Sequence, residues 1–464
     1  MHPNLWHPYF QAKTCPEPLK VRSAQGIWLE LEDGRHIIDA ISSWWVTLYG
    51  HGHPRIAAAI YQQAQQLEQV IFSGFTHEPA EQLAEALVKV LPPGLTRVFY
   101  SDNGSTSVEV ALKMTYQYWV NQGQPRTTFL AFEAGYHGDT FGTMSVGARS
   151  LFTQAFTPLL FEVEFLPFPA TWLGDETIDQ KEAQAIATLQ DKLTANPDRY
   201  AGVIIEPLIQ GAGGMNMGRP QFLQTLAQHL KTAQIPLILD EVMTGFGRTG
   251  DWFACTKAQI QPDVVCLSKG LTGGFLPFAA TVCTEAIYEG FFSEDPFKTL
   301  YHGHSYAGNP LGCAAALAAI ALMQEQPEAF QRLEALHLQH LNSLQACPMV
   351  EKLRVTGTVA ALDIIQPTQG MPTSQSWANS GLDAFGWNAS DLDASVADIL
   401  THQPSTKTGY LAQVGPFIRQ RALELGCLLR PLGNVLYILP PYCISEAELA
   451  QVYGIIQQIL NECR

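Results

Sequence analysis

The chain has 464 residues, 27 of them Lys or Arg and 43 Asp or Glu, for a net charge of −16 at pH 7. That length suits one large or two interlocked domains, and so acidic a chain repels phosphate backbones and anionic lipid, which sets nucleic acid and membranes aside as partners. With 47% hydrophobic and 15% charged residues, the composition gives disorder little support, and some surface is expected to be buried in an oligomer.

In chain order, residues 1–10 have neither the basic patch nor the apolar stretch of an export signal, so a cytosolic location is expected. Residues 26–40 alternate apolar and polar side chains around Asp33-Gly34, the pattern of a hairpin. From about 95 to 285, short apolar runs alternate with amphipathic stretches, which predicts an α/β fold of parallel strands covered by helices. Strands are predicted at 97–101, 128–133, 202–206, 236–240, 264–268 and 279–283, several closing on polar residues. Residues 311–323, 13 apolar positions, fall short of the roughly 20 that span a bilayer and read as a buried helix. The tail from Glu351 mixes strands with two helical stretches, and 367–407, rich in Ser, Thr, Asn, Asp, Gly and Pro, reads as an inserted surface loop. Residues 1–60 and 321–464 are expected to form a smaller α+β domain together, around a large domain at 61–320. Nine cysteines, from Cys15 to Cys463 without a C-x-x-C pair, are expected to be reduced thiols, and no metal site is expected.

Ligands of open α/β sheets collect beyond the carboxyl ends of strands. Asp240 closes one predicted strand, and Lys269, 29 residues on, follows another and precedes Gly270. A lysine with a buried stem can form a Schiff base, and a neighbouring buried aspartate can keep a pyridinium nitrogen protonated, the pairing that pyridoxal phosphate needs. An ordinary ion pair at the sheet edge is the alternative. After the strand at 97–101 comes Asp102-Asn103-Gly104-Ser105-Thr106, a turn suited to phosphate, with Glu109 placed for a capping box with Thr106. After the strand at 128–133 comes Gly135-Tyr136-His137-Gly138, whose aromatic ring could lie on a planar cofactor; His137 reads equally as a satisfied loop histidine.

Gly104-Ser105, Tyr136-His137-Gly138, Glu206-Pro207, Asp240-Glu241 with Gly245 to Gly250, and Ser268-Lys269-Gly270 occur in an order that resembles the class III, fold-type-I, pyridoxal-phosphate aminotransferases over nearly the whole chain. The resemblance implies a large domain built on a mostly parallel seven-stranded sheet and a homodimer with shared active sites. It makes Lys269 the catalytic lysine, Asp240 the partner of the pyridine nitrogen and Tyr136 the ring that stacks. Gly104, Ser105 and His137 join the cofactor contacts, with Ser305 as a phosphate-binding hydroxyl supplied by the partner subunit.

Trp6-His7-Pro8-Tyr9, Ser42-Ser43-Trp44-Trp45, Gln210 to Met215, and Arg430-Pro431 before Tyr437 to Tyr442 resemble the branch of that class serving biotin synthesis. That branch converts 8-amino-7-oxononanoate to 7,8-diaminononanoate. The resemblance implies substrate contacts at Tyr9, Trp44, Tyr136, Lys269, Gly303, Arg430 and Tyr437, with aromatic walls for an aliphatic chain and Arg430 for its distal carboxylate. Trp45 is expected to pack in the core. Members of the class that use glutamate carry a glutamate near the Ala212 position and an arginine near that of Tyr437; both are absent here. The expected donor is S-adenosylmethionine. His302-Gly303-His304-Ser305 stands where that branch reads His-Gly-Pro-Thr, which leaves lysine as an alternative donor. The contrasting readings are another ω-amino acid transaminase and a non-catalytic binding protein, the latter with no need of Lys269 and Asp240.

Overall fold

The computed structural model describes residues 2, 4–13, 15–150, 152–365 and 414–463, so the insertion expected at 367–407 lies outside the described residues. Seven strands form the main sheet, in the order Leu95–Ser101, Ala279–Thr284, Val264–Leu267, Leu237–Asp240, Tyr200–Ile205, Thr128–Phe132 and Val163–Leu166. Neighbours run parallel except Ala279–Thr284, which is antiparallel to the strand on either side. The three central strands are buried at every residue. Their side chains alternate between two cores: Val203, Leu239 and Val265 pack with the helix Pro220–Ala233, whereas Ile204, Ile238 and Cys266 pack with Gly104–Asn121. A strand covered on both faces needs apolar residues at consecutive positions, which is why these read as continuous runs.

The six expected strands all form, each within two residues of its expected ends, whereas Val163–Leu166 was not expected. It is a four-residue edge strand, paired among the described residues only with Thr128–Phe132, and Leu166 alone of its residues is fully buried. So short a run carries little apolar signal. The stretch at 311–323 lies within the helix Pro310–Glu325, where Gly312 lets the chain approach a ring: a Cβ there would lie 2.4 Å from Phe278 Cδ2.

Outside the main sheet, the hairpin at Asp33-Gly34 forms, joining Trp28–Leu31 to His36–Asp39, with Gly34 at φ +87° and the Asp33 carboxylate accepting the Arg35 N–H at 3.1 Å. His36–Asp39 also pairs in parallel with Cys427–Leu428, which joins the two ends of the chain in one four-stranded sheet. The strands Val350–Thr356, Val359–Ile364 and Val435–Ile438 form a separate antiparallel sheet. Its buried Arg354 donates to the carbonyls of Gly214 and Met215 at 2.7 and 2.8 Å and to Asp363 at 2.7 Å. Among the described residues no helix is long and apolar enough to cross a membrane.

Arg354→Met leaves the Gly214 and Met215 carbonyls without their donor and the Asp363 carboxylate with only the more exposed Lys352, at 3.5 Å, and should cost about 3–5 kcal/mol, read as a lower midpoint in chemical denaturation. Asp363→Asn should cost clearly less, because the guanidinium keeps its carbonyl partners; equal losses would mean that the carboxylate, not the carbonyl contacts, carries the effect.

Candidate active site

Leu239 is in register with both Ile205 and Val265, so Glu206, Asp240 and the turn into Lys269 leave the sheet side by side at its carboxyl edge. Asp240 is buried, and both carboxylate oxygens are engaged: Oδ1 accepts the Val242 N–H at 3.1 Å and Oδ2 bonds His137 Nδ1 at 2.8 Å. His137, open between two readings from sequence, is buried and orients Asp240.

Lys269 opens a single 3-10 turn at φ +38°, a left-handed conformation that L residues adopt only under restraint. The next residue is closely packed: a Cβ on Gly270 would lie 2.6 Å from Leu48 Cδ1. Lys269 Nζ stands 5.3 Å from the centre of the Trp45 ring. Burial pushes the pKa of this amine down, against the opposing pull of Asp240 and Glu206.

Glu206 was part of the resemblance without a role. Its buried carboxylate accepts the Tyr136 N–H at 2.9 Å and the Gly211 N–H at 3.0 Å, so one side chain ties together two loops that flank the cleft. Burial is the main cause that lifts its pKa to about 7; the charge of Asp240 adds to it and that of His137 opposes it. Its position after a buried strand matches that of Asp240, and that signal could have singled it out.

On the other flank, the helix Gly104–Asn121 begins with a capping box made by Asn103 and Thr106. The box expected from Thr106 and Glu109 does not form, because Thr106 is itself the third helical residue. Glu109 reaches instead to the next helix and accepts the N–H groups of Gly142 and Thr143 at 2.8 and 3.3 Å. Gly104 and Ser105 lie in the first turn, where N–H groups have no intrahelical partner. The approach is close: a Cβ on Gly104 would lie 2.7 Å from Val242 Cγ1, and one on Gly138, at φ +129°, would lie 2.1 Å from Ser105 Oγ.

The aromatic residues gather around Arg430, whose guanidinium lies 4.7 Å from the Trp44 ring. Tyr9 packs on Trp44 at 5.6 Å and on Phe152 at 5.9 Å, and its hydroxyl bonds the Asp139 carboxylate. Tyr437 is buried behind Trp45, whose indole N–H donates to the Tyr437 hydroxyl at 3.1 Å. Trp45 is thus packed in the core, as expected, and also faces Lys269. Tyr136 is over a third exposed. Gly303 and Ser305 are exposed, and their segment contacts Gln69, Asp102 and Lys113 of the same chain. Among the described residues no cluster of three His, Cys, Asp or Glu is placed to hold a metal ion.

Residues 9–460 match the family model described as Aminotransferase class-III. The chain is 54% identical over 461 residues, 99% of each sequence, to an adenosylmethionine-8-amino-7-oxononanoate aminotransferase of Synechococcus elongatus. Among solved structures it is similar to the enzyme of that name from Methanocaldococcus jannaschii, with a TM-score of 0.81 and 33% identity over 98% of this chain and 97% of that one. It is also similar to an amine transaminase from an uncultivated Pseudomonas species in its PLP-bound form, with a TM-score of 0.84 and 28% identity over the full length of both.

The raised Glu206 pKa has a pH signature. In the apo form its stabilising contribution is fully present below the ordinary carboxylate value of 4.5 and is lost as pH rises through about 7. Over that window one extra bound proton lowers wild-type stability by up to about 1.4 kcal/mol per pH unit, and Glu206→Gln should remove this slope. Thermal midpoints of both proteins across the window check it; parallel curves would mean that Glu206 is ionised throughout.

Proposed function

This chain belongs to the class III aminotransferases, whose cofactor is pyridoxal 5′-phosphate, and from that premise we propose that it converts 8-amino-7-oxononanoate to 7,8-diaminononanoate with S-adenosylmethionine as amino donor. The observation that carries the acceptor is Arg430 lying against Trp44, in a pocket that Tyr9 also walls. An aliphatic keto acid ending in a carboxylate suits apolar rings and a planar guanidinium. Likeness along the full length of the Synechococcus relative supports the same reading.

The cleft fits the cofactor. A buried carboxylate with both oxygens held, a buried-stem lysine beside it, and a helix start where Cβ atoms on Gly104 or Gly138 would clash are the features that a pyridinium, an aldehyde and a phosphate call for. When bound, pyridoxal 5′-phosphate supplies the electron sink and carries the amino group from donor to acceptor.

The chain's own residues do the rest. Asp240, fixed by His137 and the Val242 N–H, holds a negative charge where the pyridine nitrogen binds. Gly104 and Ser105 bind the phosphate, and Ser305 of the partner subunit of a homodimer adds a hydroxyl. The exposure of Gly303 and Ser305 in the single chain supports that placement. Tyr136 covers the ring plane, on a loop that Glu206 anchors. Lys269 Nζ takes and returns the proton of the amine-bearing carbon, a task helped by the burial that lowers its pKa. Trp44 and Trp45 exclude water from the reacting end, and Arg430 binds the distal carboxylate.

The donor reading rests on the same walls. Tyr437, buried and bonded to Trp45, stands where glutamate-using members of the class have an arginine, so the α-carboxylate of a small dicarboxylate lacks an anchor there. His304 lies 3.8 Å from Asp102, next to the phosphate turn, and keeps lysine as the second candidate. A location in the cytosol accords with this reading.

Borohydride reduction of the loaded enzyme should fix the pyridoxyl label on Lys269, and a label on any other lysine would refute the assignment. Arg430→Ala should raise the KM for 8-amino-7-oxononanoate roughly ten- to a hundredfold, the equivalent of about 1.5–3 kcal/mol for one charge-assisted contact, while cofactor binding stays intact. Single-turnover mixing of the pyridoxal form with each donor decides the remaining point. Conversion to the pyridoxamine form is expected with S-adenosylmethionine and not with glutamate, and conversion by lysine alone would replace the donor.

A further inference from the structure

Asp39 has no part in the roles set out above, yet it is fully buried and its carboxylate has three partners. Oδ1 accepts the Ile41 N–H at 3.2 Å, while Oδ2 accepts the Ser43 hydroxyl at 2.8 Å and lies 2.9 Å from His51 Nε2. These contacts bracket a turn with unusual backbone geometry. Ser42, Ser43, Trp44 and Trp45 have φ values of +50°, +55°, +124° and +73°, four consecutive side-chain-bearing residues in the left-handed region. That region crowds Cβ against the following carbonyl, so such residues normally occur singly, and a run of four persists only where its surroundings over-determine it.

The surroundings do so from both sides. Ser42 Oγ donates to the Leu439 carbonyl at 2.8 Å, and the Trp45 carbonyl accepts from Arg248 Nη2 at 3.3 Å. Asp39 supplies the grip from the N-terminal side. It ends the strand His36–Asp39, and its own N–H donates to the Ile27 carbonyl at 2.7 Å. His51, its partner across the turn, exchanges backbone bonds with Gly26 at 2.7 and 3.0 Å. The Asp39 and His51 side chains therefore join two fixed points of backbone and span the turn between them.

We propose that Asp39 is a positioning residue for the acceptor pocket: with Ser43 and His51 it holds the start of the Ser42–Trp45 turn in its left-handed course, and so keeps Trp44 against Tyr9 and Arg430. The inference rests on the reading that this pocket receives 8-amino-7-oxononanoate. Asp39 touches neither reacting atoms nor substrate, so its removal acts through Trp44. A relaxed turn weakens binding of the aliphatic chain, whereas Trp45 keeps its bonds to Tyr437 and Arg248 and the cofactor end is unaltered.

The test is steady-state and spectroscopic work on the loaded Asp39→Asn enzyme. The KM for 8-amino-7-oxononanoate should rise about tenfold with kcat changed less than about threefold, the mark of lost uniform binding. The visible absorption of the bound cofactor should match that of the wild type, and the near-ultraviolet circular dichroism of the tryptophans should change. A wild-type KM in Asp39→Asn, whatever its thermal midpoint, would overturn the proposal. If that variant does not fold, Ser43→Ala and His51→Gln each remove one arm of the brace; both should raise KM with kcat kept, and wild-type KM values in both would overturn it equally. Wild-type enzyme that fails to turn over 8-amino-7-oxononanoate would refute the functional reading, whereas turnover with unchanged variant KM refutes this inference alone.

Discussion

The 2.8 Å bond between His137 and the buried Asp240 carboxylate fixes a negative charge at the carboxyl edge of the main sheet, beside Lys269. Taking charged groups out of water is costly unless each finds a partner, and that cost governs the arrangement around them. Asp240 spends its second oxygen on the Val242 N–H, and Glu206 satisfies itself with two backbone N–H groups. Arg248, almost fully buried, is served by the carbonyls of Pro440 and Trp45, and burial pushes its pKa down to about 10. The polar groups at the cleft floor are thus held mainly by backbone, and rigid strand ends supply it.

Left-handed backbone recurs around the cleft as well as at turns elsewhere. Lys269, Tyr9, Phe246 and the Ser42–Trp45 turn all take positive φ. Each sits next to a tightly packed or hydrogen-bonded neighbour: Leu48 under Gly270, the Asp139 carboxylate on the Tyr9 hydroxyl, and the Tyr442 hydroxyl on the Phe246 carbonyl at 2.6 Å. Strain of this kind persists where the surrounding structure over-determines it, and it aims side chains in directions that relaxed backbone does not offer.

The aromatic pocket lies on a seam between distant parts of the chain. Tyr9 and Trp44 come from the N-terminal stretch, Arg430 and Tyr437 from the C-terminal one, and the parallel pairing of His36–Asp39 with Cys427–Leu428 draws those stretches together. Arg354 adds a tie from the C-terminal antiparallel sheet to the Gly214 and Met215 carbonyls, on the loop that Glu206 holds at Gly211. The floor of the site and its walls are therefore built by different sheets, and the hydrogen bonds between them set their separation.

The strand-ending positions of Asp240 and Lys269 and the glycine-rich turns at Gly104 and Gly138 were legible from sequence, because period, run length and turn chemistry are local properties. So was the α/β class, since strands buried on two faces must be continuously apolar. The edge strand Val163–Leu166 was not legible, because four residues paired on one side leave too short a pattern. Glu109 was misread as a local cap because its partners, Gly142 and Thr143, lie more than thirty residues away. The residue types at the ends of the central strands follow from the local pattern of the chain alone. That His137 serves Asp240, that Glu206 ties two loops and that Tyr437 backs Trp45 emerges from the fold, because each contact joins groups that approach through packing rather than through the chain, and the Asp39 brace, though local, follows a left-handed course that only packing holds in place.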